Sequence, residues 1–258
     1  MEPILECKNI YYSYHTAAGE TPALENINFR LNKGDFLAVV GPSGCGKSTL
    51  LSLLCGLLTP ESGTVLCNGA AVTKSNCRQF GYMLQKDHLF EWRSIRKNIL
   101  LGLEIQKKLN KDSIAYADTL LEAYGLASFA DKRPSQLSGG MRQRAALIRT
   151  LVLAPDILLL DEPFSALDYQ TRLTVGDDIG GIIRKEKKTA ILVTHDLSEA
   201  ISLGDYVMVL SNRPGRVKTI IPIHFEEPLT PLQKRNQSEF KTYFNLIWKE
   251  FEANEVHT

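Results

Sequence analysis

The sequence has no hydrophobic run long enough to cross a bilayer. The longest, Leu50 to Leu58, falls far short of the roughly 20 residues that a spanning helix needs. The opening, MEPILECKNI, has neither the basic start nor the apolar core of an export signal. Net charge is small, at +1, which leaves no global field to draw the chain onto nucleic acid or an anionic membrane. Five cysteines (Cys7, Cys45, Cys55, Cys67 and Cys77) form no CxxC or other metal-ligand spacing, and their odd number argues for reduced thiols in the cytosol. Internal repeats, low-complexity tracts and Ser/Gly-rich linkers are missing as well. What remains is an ordinary globular composition, 44% hydrophobic and 23% charged. At 258 residues the chain can bury a sizeable core, as one large domain or two small ones.

Against that plain background, Gly41-Pro42-Ser43-Gly44-Cys45-Gly46-Lys47-Ser48-Thr49 stands out. It reads G-x-x-x-x-G-K-S, with an apolar strand-like run, Phe36 to Val40, before it and a helical run after it. Glycines let the backbone curl so that several N–H groups point into one concavity, and the helix N-terminus adds partial positive charge. In that pattern Lys47 reaches the β- and γ-phosphates of a nucleoside triphosphate and the Ser48 hydroxyl ligates Mg²⁺. Cys45 fits as a small filler, and its alkylation is expected to block nucleotide binding.

Residues 4–14 and 24–31 read as strands around a polar turn, HTAAGETP, and Thr64 to Cys67 reads as a short third strand. Together they suggest an antiparallel sheet beside the nucleotide site. Tyr11, Tyr12 and Tyr14 lie at its edge. Tyr14, at the strand end, has two roles open to it, stacking on a purine ring or packing. From Phe80 to Leu84 a buried strand stops at Gln85. Residues 86–135 then lose strand character, with amphipathic helices expected over Ser94 to Leu109 and Asp112 to Tyr124. The stretch Lys86 to Arg93, with Phe90 and Trp92, reads as a surface aromatic site, open both to partner docking and to packing.

Leu137-Ser138-Gly139-Gly140-Met141-Arg142-Gln143-Arg144 opens a helix that runs through Val152. Ser138 is its N-cap, and the exposed N–H groups behind it make a second anion site without a lysine. One nucleotide rarely needs two such sites, so the economical reading is that this one serves the nucleotide of another copy of the chain. Asp156 to Leu160 is an apolar strand ending in Asp161-Glu162. Asp161 is placed to hold Mg²⁺ through its water shell, and Glu162 to polarise an attacking water. Ser165-Ala166-Leu167-Asp168 follows as a tight polar connection. Thr189 to Thr194 is another buried strand, ending at His195, and Tyr206 to Leu210 another, followed by a turn, Ser211 to Arg216. From Leu232 onward Phe240, Tyr243, Phe244, Ile247, Trp248 and Phe251 recur at helical spacing, a stripe better suited to packing on the domain than to holding a cofactor.

The common position of these groups is the strongest argument from residues alone. Gly41, Gln85, Asp161 with Glu162, and His195 each follow an apolar run of strand length. Ligands of open parallel sheets bind at the carboxyl ends of the strands. A phosphate cradle, an amide, two carboxylates and an imidazole on one rim make a site for nucleoside triphosphate hydrolysis.

Taken together, GPSGCGKST, Gln85, LSGGMRQR, ILLLDEP, SALD and VTHD resemble the ATP-binding subunits of ABC transporters over essentially the full length. The resemblance implies an α/β fold: a P-loop NTPase core, RecA-like with a mostly parallel sheet, bearing an antiparallel β subdomain and an α-helical insertion. The expected organisation is a single domain, 1–258, with its core in 1–85 and 154–258 and a helical subdomain in 86–153. Two copies would sandwich two ATP molecules with Mg²⁺, each between Gly41–Thr49 of one copy and Ser138, Gly139 and Gly140 of the other. The resemblance further implies that Glu162 is the general base or water-positioning residue and that His195 senses the γ-phosphate. Gln85 would link Mg²⁺ and the water to the helical insertion, and Asp168 would communicate across the homodimer. Two membrane permease subunits would dock on the insertion. MRQR, DEPFSALD, THDLSEA and SNRPGRV look like the nitrate/sulfonate/taurine group of bacterial importers, with its relatives for thiamine precursors. That implies an extracytoplasmic solute-binding protein, no nucleic acid partner, and a peripheral position on the cytoplasmic face of the cell membrane. KDHLFEWR departs from this group's usual Pro-rich loop, and Asp177-Asp178 and Gly180-Gly181 interrupt a helix usually richer in leucine and arginine. An exporter subunit and a soluble, non-transport ABC ATPase share the catalytic motifs and are the alternatives.

Overall fold

The structure, a computed structural model, describes residues 2–17, 19–73, 76–165 and 167–252. In chain order its strands are β1 (Leu5–Thr16), β2 (Gly19–Leu31), β3 (Phe36–Val40), β4 (Ser62–Cys67), β5 (Ala70–Ala71), β6 (Phe80–Met83), β7 (Ile157–Asp161), β8 (Thr189–Val193), β9 (Tyr206–Leu210) and β10 (Val217–Pro222). The α-helices are α1 (Lys47–Leu54), α2 (Ile95–Ile105), α3 (Lys111–Ala123), α4 (Gly139–Leu151), α5 (Tyr169–Lys185), α6 (Leu197–Leu203), α7 (Pro231–Lys234) and α8 (Ser238–Glu252).

Two sheets result. The larger has the order β10-β9-β3-β8-β7-β6, parallel throughout except for the antiparallel edge strand β10. Every residue of β3, β7 and β8 is buried, as expected of parallel strands covered on both faces, whose sequences run uninterruptedly apolar. The smaller sheet, β2-β1-β4-β5, is antiparallel, and its strands alternate buried and exposed positions because only one face meets the core. The helices α2, α3 and α4 form the expected insertion. Its core is continuous with that of the sheet: Ile99, Leu121 and Leu147 share one buried cluster with Leu158 and Leu192. Among the described residues no helix is long and apolar enough to cross a membrane.

Several boundaries differ from the sequence reading. The polar stretch HTAAGETP is mostly strand: β1 and β2 stay paired out to Thr16 and Gly19, so Tyr14 lies inside its strand and does not end it. Ladder hydrogen bonds between neighbouring strands outweigh the weak strand propensity of Glu, Gly and Pro there. The first insertion helix stops at Ile105, and Lys107, at φ +56°, leaves the helical region soon after it. The tail is two helices rather than one, α7 and α8. Ile247 of α8 is buried, Phe240, Tyr243, Phe244 and Phe251 pack beside it, and Trp248 stays half exposed, stacked on Phe244. Phe90 and Trp92 do lie at the surface, their ring centroids 4.7 Å apart. The loop that carries them is held from behind by the fully buried Asn98, whose side chain bonds the Phe90 N–H and the carbonyls of Phe90, Arg93 and Ser94. Of the SALD stretch, Ala166 lies outside the described residues, as do the last residues, 253–258, of the expected domain.

Candidate functional site

Strand β3 delivers the chain to Gly41, where no side chain fits. A Cβ there would lie 2.7 Å from Cys45 Sγ and 3.1 Å from Leu210 Cβ. At Gly46 the backbone takes φ +104° as the N-cap of α1, and a Cβ would meet Leu24 Cδ2 at 2.7 Å and the Ala23 carbonyl at 3.0 Å; glycine alone satisfies both constraints. Helix α1 has no side-chain cap and no acid in its first turn, so its leading N–H groups are left for an anion. Lys47 is 7% exposed, and its ammonium donates to the carbonyls of Gly41 at 2.7 Å and Pro42 at 2.9 Å. Those bonds satisfy a buried charge.

The loop floors a cavity of about 600 Å³. Ser43, Gly44, Gly46, Lys47, Ser48 and Thr49 line it, facing Glu162 and His195, and Tyr14 closes one side. Gly41, Pro42 and Cys45 lie behind this surface. Cys45 is 1% exposed, and burial raises its thiol pKa, so the expectation that alkylation there readily blocks the site meets a shielded thiol, not a reactive one. The Tyr14 hydroxyl shares a hydrogen bond of 3.0 Å with Thr49 Oγ1, and its ring meets Tyr12 edge-on at 5.1 Å.

Beneath the cavity surface Ser48 Oγ donates to the buried Asp161 Oδ1 at 3.1 Å and the Tyr82 hydroxyl donates to Asp161 Oδ2 at 3.2 Å. Burial raises the Asp161 pKa against these two bonds. A serine hydroxyl and one carboxylate, both hard oxygen donors, suit Mg²⁺, which takes few protein ligands and keeps its waters. Next in sequence, Glu162 sits at φ +44°, an uncommon conformation for a non-glycine residue. Its N–H is tied to the Val193 carbonyl at 2.9 Å. That backbone turns the carboxylate toward its neighbours. Glu162 Oε2 accepts from Gln85 Nε2 at 3.2 Å and lies 3.3 Å from His195 Nδ1. Three strand ends thus converge on one carboxylate oxygen. Gln85 Nε2 also reaches Ser165 Oγ at 3.3 Å. Its bonds join it to Glu162 rather than to the Ser48–Asp161 pair.

Within one chain the structure does not bring Ser138, Gly139 or Gly140 to the cavity. Ser138 caps α4, accepting from the Met141 N–H. Gly139 and Gly140 pack on the start of α5: Cβ atoms built on them would come within 3.3 Å of Leu167 and 2.9 Å of Thr171. Asp168 is in turn the N-cap of α5, accepting from the Thr171 N–H at 3.1 Å; the Thr171 side chain first, and then that N–H, hold its carboxyl below the usual range. Ser138, Gly139 and Asp168 are exposed, Gly140 is buried against α5, and none of the four lines the cavity.

Two cavity residues escaped the sequence reading, Ala23 and Arg213. Arg213 belongs to the stretch read only as a turn. That turn docks on the phosphate loop: a Cβ on Gly215 would strike the Cys45 carbonyl at 2.2 Å, and Arg213 Nε donates to the Pro22 carbonyl at 2.9 Å. An arginine in a Pro/Gly turn was the one available signal.

The family model described as ABC transporter matches residues 24–165, over half the chain. An uncharacterised ABC transporter ATP-binding protein of Bacillus subtilis, YtlC, is 45% identical over 97% of this chain and 96% of its own. The aliphatic sulfonates import ATP-binding protein SsuB of the same organism is 40% identical over 90% of this chain and 88% of its own. Among solved structures, a dimeric ATP-binding cassette in a post-hydrolysis state with ADP and Pi superposes with a TM-score of 0.74 at 27% identity, covering 86% of this chain and 99% of that one.

The chain belongs to the ABC transporter family.

As an ATP-binding subunit of an ABC transporter it is an ATPase. The cavity brings together the open N–H groups of a helix start, a buried ammonium, and a carboxylate held between an amide and an imidazole. Hydrolysis of a phosphoanhydride is mainly a matter of positioning and charge, and these are the groups able to provide both.

Proposed function

We propose that this chain is the ATP-hydrolysing subunit of a bacterial importer for a small solute, working as an ATP-closed homodimer beneath two membrane permeases. Gly41 to Thr49 hold the phosphates of ATP, with Tyr14 against the base. Ser48, Asp161 and Gln85 would hold Mg²⁺, which would supply positive charge to offset the charge of the phosphates. Glu162 takes a proton from the attacking water, Gln85 and His195 keep its carboxylate aimed, and His195 also touches the γ-phosphate. Ser138, Gly139 and Gly140 reach the nucleotide of the other copy, with Asp168 beside them at the shared boundary. The observation that carries the chemistry is the meeting of Gln85, Glu162 and His195 at 3.2–3.3 Å on the carboxyl rim of the sheet.

The helical region 86–153 is the permease-facing part of a single domain. Its exposed Phe90–Trp92 pair sits in the loop that starts at Gln85, so a push on that loop is felt at Glu162. Two arginines of α4 reinforce the link. Arg142 grips Asp87 at 2.8 Å and Glu91 at 2.8 Å, and Arg149 donates to the carbonyls of His88 and Asp87. The protein therefore works at the cytoplasmic face of the membrane, with an extracytoplasmic solute-binding protein as a further partner. A sulfonate, nitrate, taurine or thiamine-precursor cargo follows from the likeness to the sulfonate importer subunit and the motifs it shares.

Purification of the tagged chain from native membranes in mild detergent, with mass spectrometry of what accompanies it, tests the reading. A small multispan permease together with an extracytoplasmic binding protein is the expected result. A permease alone would move the assignment to export, and ribosomes or DNA without any membrane protein would overturn it.

A further inference from the structure

Away from the nucleotide, the described residues enclose a second cavity, of about 520 Å³, between α5, the end of α6 and residues 223–234. Its volume lies inside the roughly 300–1,000 Å³ typical of small-molecule sites. Leu203 and Phe225 are buried walls, and Leu229 is half buried beside them. The paired glycines of α5 border the space in different ways. A Cβ on Gly180 would come 2.6 Å from Leu203 Cδ2 and 2.9 Å from Pro231 Cγ, whereas a Cβ on Gly181 would meet nothing within 4 Å. Gly180 thus admits close packing, and Gly181 borders open space.

Five charged side chains line this cavity, the carboxylates of Asp177, Asp205 and Glu227 and the cations of Arg184 and Lys234, and most are bonded locally. Arg184 is committed, to Asp205 at 2.8 Å and to the Leu203 carbonyl at 3.0 Å. Asp205 also accepts from the Phe36 N–H, and Asp177 from the Leu232 N–H. Glu227 is exposed to solvent. Lys234 is the exception: its ammonium lies 5.3 Å from the centre of the Phe225 ring and forms no ion pair or hydrogen bond among the described residues. Burial, and then the nearby Arg184, push this amine down to about 8 against the opposing pull of the Asp205 carboxylate. A half-buried cation facing a partly apolar cavity is costly without an anionic partner.

We propose that this cavity binds a small organic anion with an apolar body, its carboxylate or sulfonate on the Lys234 ammonium and its hydrocarbon part against Leu203, Phe225 and Leu229. Inorganic anions would use the cation but leave the walls wet, and neutral hydrocarbons would leave the cation unpaired. The combination selects an amphipathic anion.

The test is isothermal titration of the full chain with 1-hexanesulfonate and with hexanoate, in saturating ADP so that the phosphate loop is occupied. Hexanamide serves as the uncharged control. Expected is saturable one-to-one binding of the two anions, weaker by about tenfold or more for hexanamide and in Lys234→Met, as loss of a charge-assisted contact implies. Gly181→Leu fills the cavity from a position with room for a side chain, and abolishes binding. Neither residue lines the nucleotide cavity, so both variants keep the wild-type ADP affinity, which also certifies their folding; should Lys234→Met fail that check, Gly181→Leu still decides. Absence of saturable anion binding to the wild type, equal binding of hexanamide, or unchanged binding in Gly181→Leu would each overturn the proposal.

Discussion

Glu162→Gln isolates the proton-accepting role of the carboxylate from everything else that residue does. The two side chains are nearly the same size, and the glutamine amide can turn its oxygen toward Gln85 Nε2, 3.2 Å away in the native site. The φ of +44° penalises glutamate and glutamine alike, so the backbone turn survives. Stability should therefore change by less than about 1 kcal/mol. Binding should change little as well, since the proposed phosphate contacts come from the loop and Lys47, which the substitution does not touch. The chemical step loses its base. General base catalysis contributes roughly 10²- to 10⁴-fold, equivalent to about 3–5.5 kcal/mol on the barrier. Single-turnover phosphate release at saturating ATP should fall by at least about a hundredfold, while ATP affinity from titration calorimetry stays within about threefold of wild type. Dimers loaded with ATP should then accumulate on a sizing column. A variant that hydrolyses ATP within about tenfold of wild type, or that loses ATP affinity as much as rate, would refute the assignment of Glu162 as the base.

Ser138→Arg is expected to abolish the ATP-dependent dimer in sedimentation experiments while each chain still binds ATP. It also removes the α4 cap, at a cost of about 1 kcal/mol, and persistence of the dimer would count against a shared site. Arg213→Ala should weaken ATP binding by roughly tenfold, the worth of one charge-assisted contact, without lowering the rate at saturation; unchanged affinity would show that Arg213 only braces the Pro22 carbonyl. Arg142→Ala leaves the mostly buried carboxylate of Asp87 without its guanidinium and should cost about 1–3 kcal/mol in urea unfolding. A loss below about 0.5 kcal/mol would mean that Arg149 and solvent suffice.

Much of this protein could be read along the chain because the deciding signals are local. The phosphate loop needs glycine, lysine and serine at fixed spacing within nine residues, and those residues alone specify its curl. Strands β3, β7 and β8 are buried on both faces, so they announce themselves as unbroken apolar runs, and each functional group at their ends could be placed by counting. The tertiary structure decided whatever depends on distant partners. The strand order sets Gln85, Glu162 and His195 around one oxygen, which no spacing along the chain reveals. The β1–β2 hairpin extends through residues of poor strand propensity because pairing supplies the hydrogen bonds. Arg213 reaches the nucleotide cavity because its turn docks on distant segments, through Pro22, 191 positions away, and through Ala23 and Glu25, and the cavity at Lys234 is bounded by α5, which Gly180 lets approach Leu203 and Pro231. Propensity and motif act over a turn or a strand. Contacts between residues far apart form only when the whole core closes, so the side chains that meet there are known only once it has.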